Sequence, residues 1–459
     1  MPTSLPRSTP SAEGVDAEAF GRFVDALEAA QDIDPHSVML VVHGKVVAEG
    51  WWAPYTAERL HLLYSLSKTF MSTAAGFAVA EGLLGLDDAV ADHFPAFRDE
   101  LPERSRRIRV RDALAMASGH HQDMIQAAVM TDPAEPVRGF LLHEPESEPG
   151  TVFAYNQPAN YTVAAIVQQA AGTDLVGYLR PRLLDPLGIG PVSWQQVPEG
   201  RSIGFSGLHA TTEAIAKLGL LHLRDGVWEG EQLLPAGWAE ATRTRHIGTD
   251  AETNVDWAQG YGYQVWMARH GYRGDGAYGQ FCVILPEQDA VLVTTMATDD
   301  MQQVLDAAWQ HVLPALGGGG TAEADDALAA RLGGLALEPS AGEPAIERPP
   351  VTTWRGDVAA ELQEDGRVRL SDGVTALLLP IGGDGWTVVD DDTAASPVAV
   401  SGGWRGDVLH LDVLFLESPH RMDVQLAPDG TATATFRTQP LVLGASTPLL
   451  AHRAPLPLG

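Results

Sequence analysis

The chain has a single cysteine, Cys282, and only three lysines (Lys45, Lys68 and Lys217) among 30 basic residues in a length of 459. One cysteine excludes an intramolecular disulfide framework and any zinc site built on two or more thiolates. No uninterrupted apolar run reaches membrane-spanning length, and the N-terminal MPTSLPRSTPSAEG lacks the apolar core of a secretory signal. The expectation is a soluble cytoplasmic protein with no membrane partner. Positive charge is also scarce: the formal net charge is −30, which repels phosphate backbones, so nucleic acid is not an expected partner. Nothing in the sequence specifies an oligomeric state. The balance of 45% hydrophobic and 20% charged residues is that of a globular protein, and the length predicts two domains.

The shortage of lysine gives each one weight. Arginine stays protonated in a protein, whereas lysine can become a neutral amine and act as a base. Lys68 stands three residues after Ser65 in YSLSKTFMSTAAGF, at the predicted start of a buried helix running to about Leu84. This spacing puts both side chains on one helical face, their Cβ atoms about 5–6 Å apart. Backbone N–H groups at a helix start can hold charge on an acyl oxygen, and the positive end of the helix dipole disfavours an ammonium. Ser65 as nucleophile and Lys68 as neutral general base follow. Bringing a lysine from a reference near 10.4 to near 7 costs about 4–5 kcal/mol, which burial would have to supply.

Around this motif, residues 16 to 31 carry Phe20, Phe23, Val24 and Leu27 at helical spacing, and SVMLVVHGKVVAEGWW reads as a hairpin turning at His43-Gly44. Helices are predicted near 110–117, 160–171 and 211–223, then strands in YGYQVWMAR, GQFCVIL and AVLVTTMA, then the helix MQQVLDAAWQHVLPAL. Strands bracketing a helical middle imply an α+β fold, an antiparallel sheet flanked by helices with an all-helical subdomain. The four glycines 317–320 open an acidic, Ala- and Pro-rich stretch, and the expected division is 1–318, a linker at 319–349, and 350–459. In the last segment ALLLPI, GWTVV, VLHLDVLFL, RMDVQLA and TATATF are strand-like runs between Gly and Asp turns, predicting a small all-β sandwich or barrel.

YSLSK followed by an Ala-rich helix and EGLLGLDD resembles the serine β-lactamase, penicillin-binding protein and esterase superfamily. RIRVRDALAMASGH, PGTVFAYNQPANYTVAAIVQQAAG, RPRLLDPLGI, SGLHATTEAIAKLG and WEGEQLLPAGW continue the resemblance in order to about residue 316. The resemblance implies a β-lactamase/transpeptidase-like fold and an acyl-enzyme hydrolase without cofactor or metal. Ser65 would attack a carbonyl of a small ester or amide, Lys68 would take its proton, and Tyr155 would help protonate the leaving group.

Two departures from the family pattern matter. Asparagine usually lies two places after the tyrosine, but here Asn156 follows directly and Gln157 takes that place, so either amide could reach the lysine or the substrate. The third motif, commonly Lys-Thr-Gly or His-x-Gly, falls within HGYRGDGAYGQFCVILP. One register selects Gly271, Tyr272 and Arg273, and a shifted one selects Gly274, Asp275 and Gly276. Neither begins with Lys or His, which favours an esterase or amidase over a lactamase or D-amino-acid peptidase and leaves a non-catalytic ligand-binding member of the fold as a further alternative. Arg273 or His270 could replace the missing charge as a carboxylate receiver, and the second oxyanion N–H would come from Gly274 or Ala277.

Gly274 to Gly279 also spells G-x-G-x-x-G, but it leads into a strand, whereas a dinucleotide fingerprint opens a helix. His120, His121 and Asp123 in SGHHQD form the best metal-like cluster. Their adjacency prevents them from sharing one helical face, so His120 is expected as an auxiliary residue at the pocket mouth.

Overall fold

In the computed structural model, residues 4–346, 349–383, 385–390, 396–441 and 450 are described. An antiparallel six-stranded sheet organises the first part, in the order Lys45–Trp51, Asp34–Val42, Ala290–Ala297, Gln280–Leu285, Tyr272–Gly276, Trp266–Met267. Side chains alternate across it, as a strand period of two requires. Met39, Val41, Cys282, Ile284 and Val293 enter one core with the helices Ser67–Ala80, Gln157–Ala171 and Thr212–Leu223. Val38, Leu40, Phe281, Val283 and Leu292 enter a second core on the opposite face. There they meet the helix Ala17–Ala29, which buries Phe20, Phe23, Val24 and Leu27 and is capped by the Asp16 carboxylate accepting from Glu18 N and Ala19 N.

The expected linker is partly a helix. Ala322–Gly333 is capped by the Thr321 hydroxyl and buries Leu328 and Leu332, one turn apart, in the second core. The acidic, Ala-rich composition that suggested a tether also suits a helix with a narrow apolar stripe. The segment from Tyr261 to Arg269, expected as a strand, is mostly irregular, with only Trp266–Met267 in the sheet. The helix predicted after Met301 is interrupted by a π turn at Ala308–Val312.

Among the described residues, the C-terminal region is a nearly closed all-β sheet of nine strands. Neighbours are antiparallel except Thr353–Gly356 and Thr431–Phe436, which run parallel. Its interior holds Trp354, Leu370, Val400, Leu411, Val413, Val424 and Phe436. The sheet docks firmly on the first part: Ala399, Leu414 and Leu416 lie in the second core. Arg421 bridges Asp34 at 3.1 Å and Asp412 at 2.6 Å. Leu62 N donates to Glu417 O at 2.8 Å. Among the described residues, no helix is long and apolar enough to cross a membrane.

Candidate active site

Ser65 lies in the 3-10 turn Tyr64–Leu66, which runs directly into the buried helix Ser67–Ala80. The turn therefore lifts Ser65 to the rim, where it is half-buried, while Lys68 points inward and is 1% exposed. Lys68 Nζ is 2.9 Å from Ser65 Oγ and donates to Phe205 O at 2.8 Å. Loop 203–208 is pinned where it supplies that carbonyl, since Leu208 N donates to Ser67 Oγ at 3.0 Å and Leu63 N donates to Leu208 O at 2.8 Å. Among the described residues no carboxylate pairs directly with Lys68. Burial brings the amine down to about 7, against a weaker upward pull from Asp123 and Asp275.

Tyr155 covers this pair. Lys68 Nζ sits 4.7 Å from the centre of its ring, and Trp266 stacks on the same ring at 5.4 Å. Burial drives the phenol far above its ordinary range, only partly offset by the nearby Ser65 hydroxyl, so Tyr155 keeps its proton at neutral pH. A half-exposed hydroxyl, an amine poised between its charged and neutral forms and a protonated phenol thus lie together. A cavity of about 730 Å³ opens beside them, lined by His121, Asp123, Phe153, Tyr155, Thr249 and Glu252 among others.

The strand Tyr272–Gly276 forms the other wall. A Cβ on Gly274 would lie 2.4 Å from Thr69 Oγ1, and one on Gly276 would lie 2.0 Å from Leu63 O and 3.1 Å from Leu66 N. These glycines are therefore needed for the strand to press against the Ser65 turn, rather than for approach to a ligand. Gly276 is the one beside the backbone that carries Ser65, and half-buried Ala277 follows it in sequence.

A model of the beta-lactamase family matches residues 20–316, most of the chain. The chain belongs to the beta-lactamase family. Homologues in this family are serine hydrolases, and an acyl-enzyme mechanism is typical of it. The chain is 24% identical over 319 residues to 6-aminohexanoate-dimer hydrolase of Paenarthrobacter ureafaciens, covering 64% of this chain and 80% of that protein. It is 25% identical over 319 residues to penicillin-binding protein 4 of Amycolatopsis lactamdurans, covering 60% and 83%. Among solved structures, EstCE1, a hydrolase with promiscuous acyltransferase activity, shares the fold with a TM-score of 0.53 at 18% identity, over 64% of this chain and 99% of that one. SurE with D-Leu aligns with a TM-score of 0.53 at 19% identity, over 88% of this chain and 98% of that one, so this likeness in fold reaches into the C-terminal part.

Against the family pattern, several expected auxiliary residues point elsewhere. The Arg273 guanidinium is fully buried on the far face of its strand, 3.1 Å from Asp275, donating to Asp256 O and Met267 O and stacked 4.3 Å over Trp257. Strand alternation causes this, because the face that carries Gly274 and Gly276 belongs to the nucleophile turn. Arg273 therefore does not receive a substrate carboxylate, and His270 is exposed and packs on Trp309. His120 is also turned inward, between Ser118 Oγ and His143 O at 3.0 Å each, while its neighbour His121 lines the cavity. Asn156 is fully buried and fastens the loop behind Tyr155, donating to Ser118 Oγ at 3.2 Å and accepting from Met124 N at 2.9 Å. Gln157 opens the helix that follows and its buried Oε1 has no hydrogen-bond partner among the described residues.

Three contributors escaped the sequence reading. Phe205 acts through a backbone carbonyl, which leaves no side-chain signature. Asp123 was read only as a possible metal ligand. It accepts from Gln157 N and Ile125 N, and its negative charge faces Lys68. Asp275 lay within the shifted glycine triplet, but its pairing with Arg273 and its pull on Lys68 depend on the fold.

Proposed function

We propose that this family member hydrolyses a small ester or amide through an acyl-enzyme on Ser65, without cofactor. The observation that carries the reading is a buried amine, with a pKa near 7, held 2.9 Å from a half-exposed serine hydroxyl. In acylation Ser65 Oγ attacks the carbonyl carbon and its proton passes to neutral Lys68. The ammonium so formed is stabilised by Phe205 O, and its proton is relayed through Tyr155 to the leaving alkoxide or amine. In deacylation water attacks the acyl carbon and gives its proton to the same base, which passes it to Ser65 Oγ as the acyl C–Oγ bond breaks and the acid leaves. Ala277 N–H and Ser65 N–H are the proposed donors to the acyl oxygen, a role supported by the contact of Gly276 with the Ser65 turn.

The substrate class follows from what the cleft lacks. Of the two candidate cations near the third motif, Arg273 is buried against Asp275 and His270 packs on Trp309, and the described cavity lining contains no lysine or arginine. A substrate bearing a carboxylate beside the scissile bond, as in a β-lactam or a D-alanyl peptide, would be desolvated without a cationic partner. Neutral or cationic substrates avoid that cost. We place this chemistry in a soluble cytoplasmic protein that binds neither membrane nor nucleic acid. Its hydrolase domain is taken to span 1–318, with 319–349 connecting to a β domain at 350–459.

Intact-protein mass spectrometry after exposure to esters, amides and β-lactams tests the reading, because the adduct mass reports the acyl group. Adducts from uncharged esters or amides that vanish in Ser65→Ala are expected. Adducts formed only from β-lactams would overturn the substrate class, and no adduct on Ser65 from any acylating probe would overturn the mechanism.

A further inference from the structure

The residue before Ser65 and the residue after Ala277 are both tyrosines, and both end on the C-terminal sheet. Tyr64 has a φ of 47° and Tyr278 a φ of 70°, left-handed conformations that non-glycine residues keep only where their surroundings over-determine them. The Tyr64 hydroxyl lies 2.6 Å from His420 Nε2, and His420 Nδ1 lies 3.0 Å from Thr438 O. A carbonyl can only accept, so Nδ1 carries the proton, Nε2 presents its lone pair, and the Tyr64 hydroxyl donates to it. That hydroxyl also accepts from Leu441 N at 3.3 Å, while the Tyr278 hydroxyl donates to Gln439 O. The three rings meet edge-on, with centroids 5.5 Å apart for Tyr64 and Tyr278, 5.9 Å for Tyr64 and His420, and 5.7 Å for Tyr278 and His420.

We infer that His420 is a positioning residue: through Tyr64 and Tyr278 the C-terminal sheet fixes the two backbone segments that present Ser65 and the Ala277 N–H to the substrate. The inference rests on the proposed roles of Ser65 and Ala277. Its physical basis is leverage. A left-handed residue that relaxes swings its neighbour, and displacing a reacting group by about 1 Å costs on the order of a hundredfold in rate. One histidine touches both rings, but its acceptor nitrogen bonds only Tyr64, so losing that nitrogen loosens the nucleophile segment while the ring contact with Tyr278 is kept. Simple inter-domain packing would depend on ring volume and be indifferent to that nitrogen.

The test measures the rate at which a fluorophosphonate acylates Ser65, and kcat and KM on an uncharged ester, in the full chain. His420→Phe keeps a ring but has no acceptor, and Tyr64→Phe removes only the donating oxygen. Each is expected to slow acylation and kcat about ten- to a hundredfold, with KM and the pH midpoint of acylation unchanged. The double variant should be no slower than either single one, because both delete the same hydrogen bond. His420→Asn, which can still accept, should recover part of the rate. Wild-type acylation in His420→Phe, or in Tyr64→Phe should His420→Phe fail to fold, overturns the inference alone. A wild-type chain not labelled on Ser65 overturns the nucleophile assignment, and this inference with it.

Discussion

Lys68 and Lys217 are both buried on helices of the same core, and burial depresses both amines. They differ in what the nitrogen meets. Lys217 donates to Gly188 O at 3.0 Å and has the Glu213 carboxylate one turn away at 3.6 Å, which favours its charged form. Lys68 meets a hydroxyl and a carbonyl, with carboxylates only at a distance. Desolvation beside a carboxylate leaves a structural lysine, and desolvation without a carboxylate partner, next to a serine at the rim, makes a base. Lys45 completes the contrast: exposed and 2.6 Å from Glu13, it is an ordinary surface ion pair.

The comparison breaks most sharply under arginine substitution. Lys68→Arg keeps a cation but removes a base that can be neutral, and hydrolysis of an uncharged ester is expected to fall about 10²–10⁴-fold, read as kcat/KM. Lys217→Arg should stay within about twofold of wild type, since a cation beside Glu213 is retained. Equal losses in the two variants would remove the distinction.

Stability separates the same residues next. The folded-state pKa of Lys68, about 7, lies below the ordinary 10.5, so between these values the unfolded chain binds more protons and stability rises with pH. The cost of burial is fully present below about pH 7 and fades as pH rises toward 10.5. Lys68→Met should therefore stabilise the protein below that point by up to about 4–5 kcal/mol, less about 1 kcal/mol for the lost bond to Phe205. In urea unfolding the difference should shrink as pH rises. Lys217→Met should stabilise less, because it also removes a cation that Glu213 meets, leaving Arg7 as that carboxylate's cation.

Asp123 gives the smallest and most diagnostic effect. Its charge raises the Lys68 pKa, so Asp123→Asn should move the acidic limb of the rate profile to lower pH while leaving the plateau within a few-fold of wild type. A limb that moves upward would mean that another group titrates there.

How much of this was legible in the sequence depends on the kind of contact involved. The Ser65–Lys68 pair is local, one turn apart, and the order of motifs around it identified the fold before any contact was known. The hairpin at His43-Gly44 and the helix burying Phe20 and Leu27 were equally readable, because each is a periodic pattern within one segment. Arg273 was misjudged because its charge was weighed without knowing which face of the strand it takes, and one residue of register decides between cleft and core. His120 and Asn156 were misjudged because short loops set side-chain direction through non-local partners such as His143 and Met124. In the C-terminal sheet the strands Thr353–Gly356, Ala359–Leu362, Val368–Ser371 and Val398–Arg405 went unread, the first three being short and the last carrying two adjacent glycines. The bond between His420 and Tyr64 spans 356 positions, and nothing in either local sequence announces it.

The central claim, that an uncharged Lys68 activates Ser65, is tested most directly by the rate of Ser65 acylation by a neutral phosphonate ester, followed by intact mass between about pH 5 and 9. The account predicts one adduct, absent in Ser65→Ala, forming faster as pH rises through about 7 and levelling above it. A rate that is flat across this range, or that survives in Lys68→Arg, would contradict it.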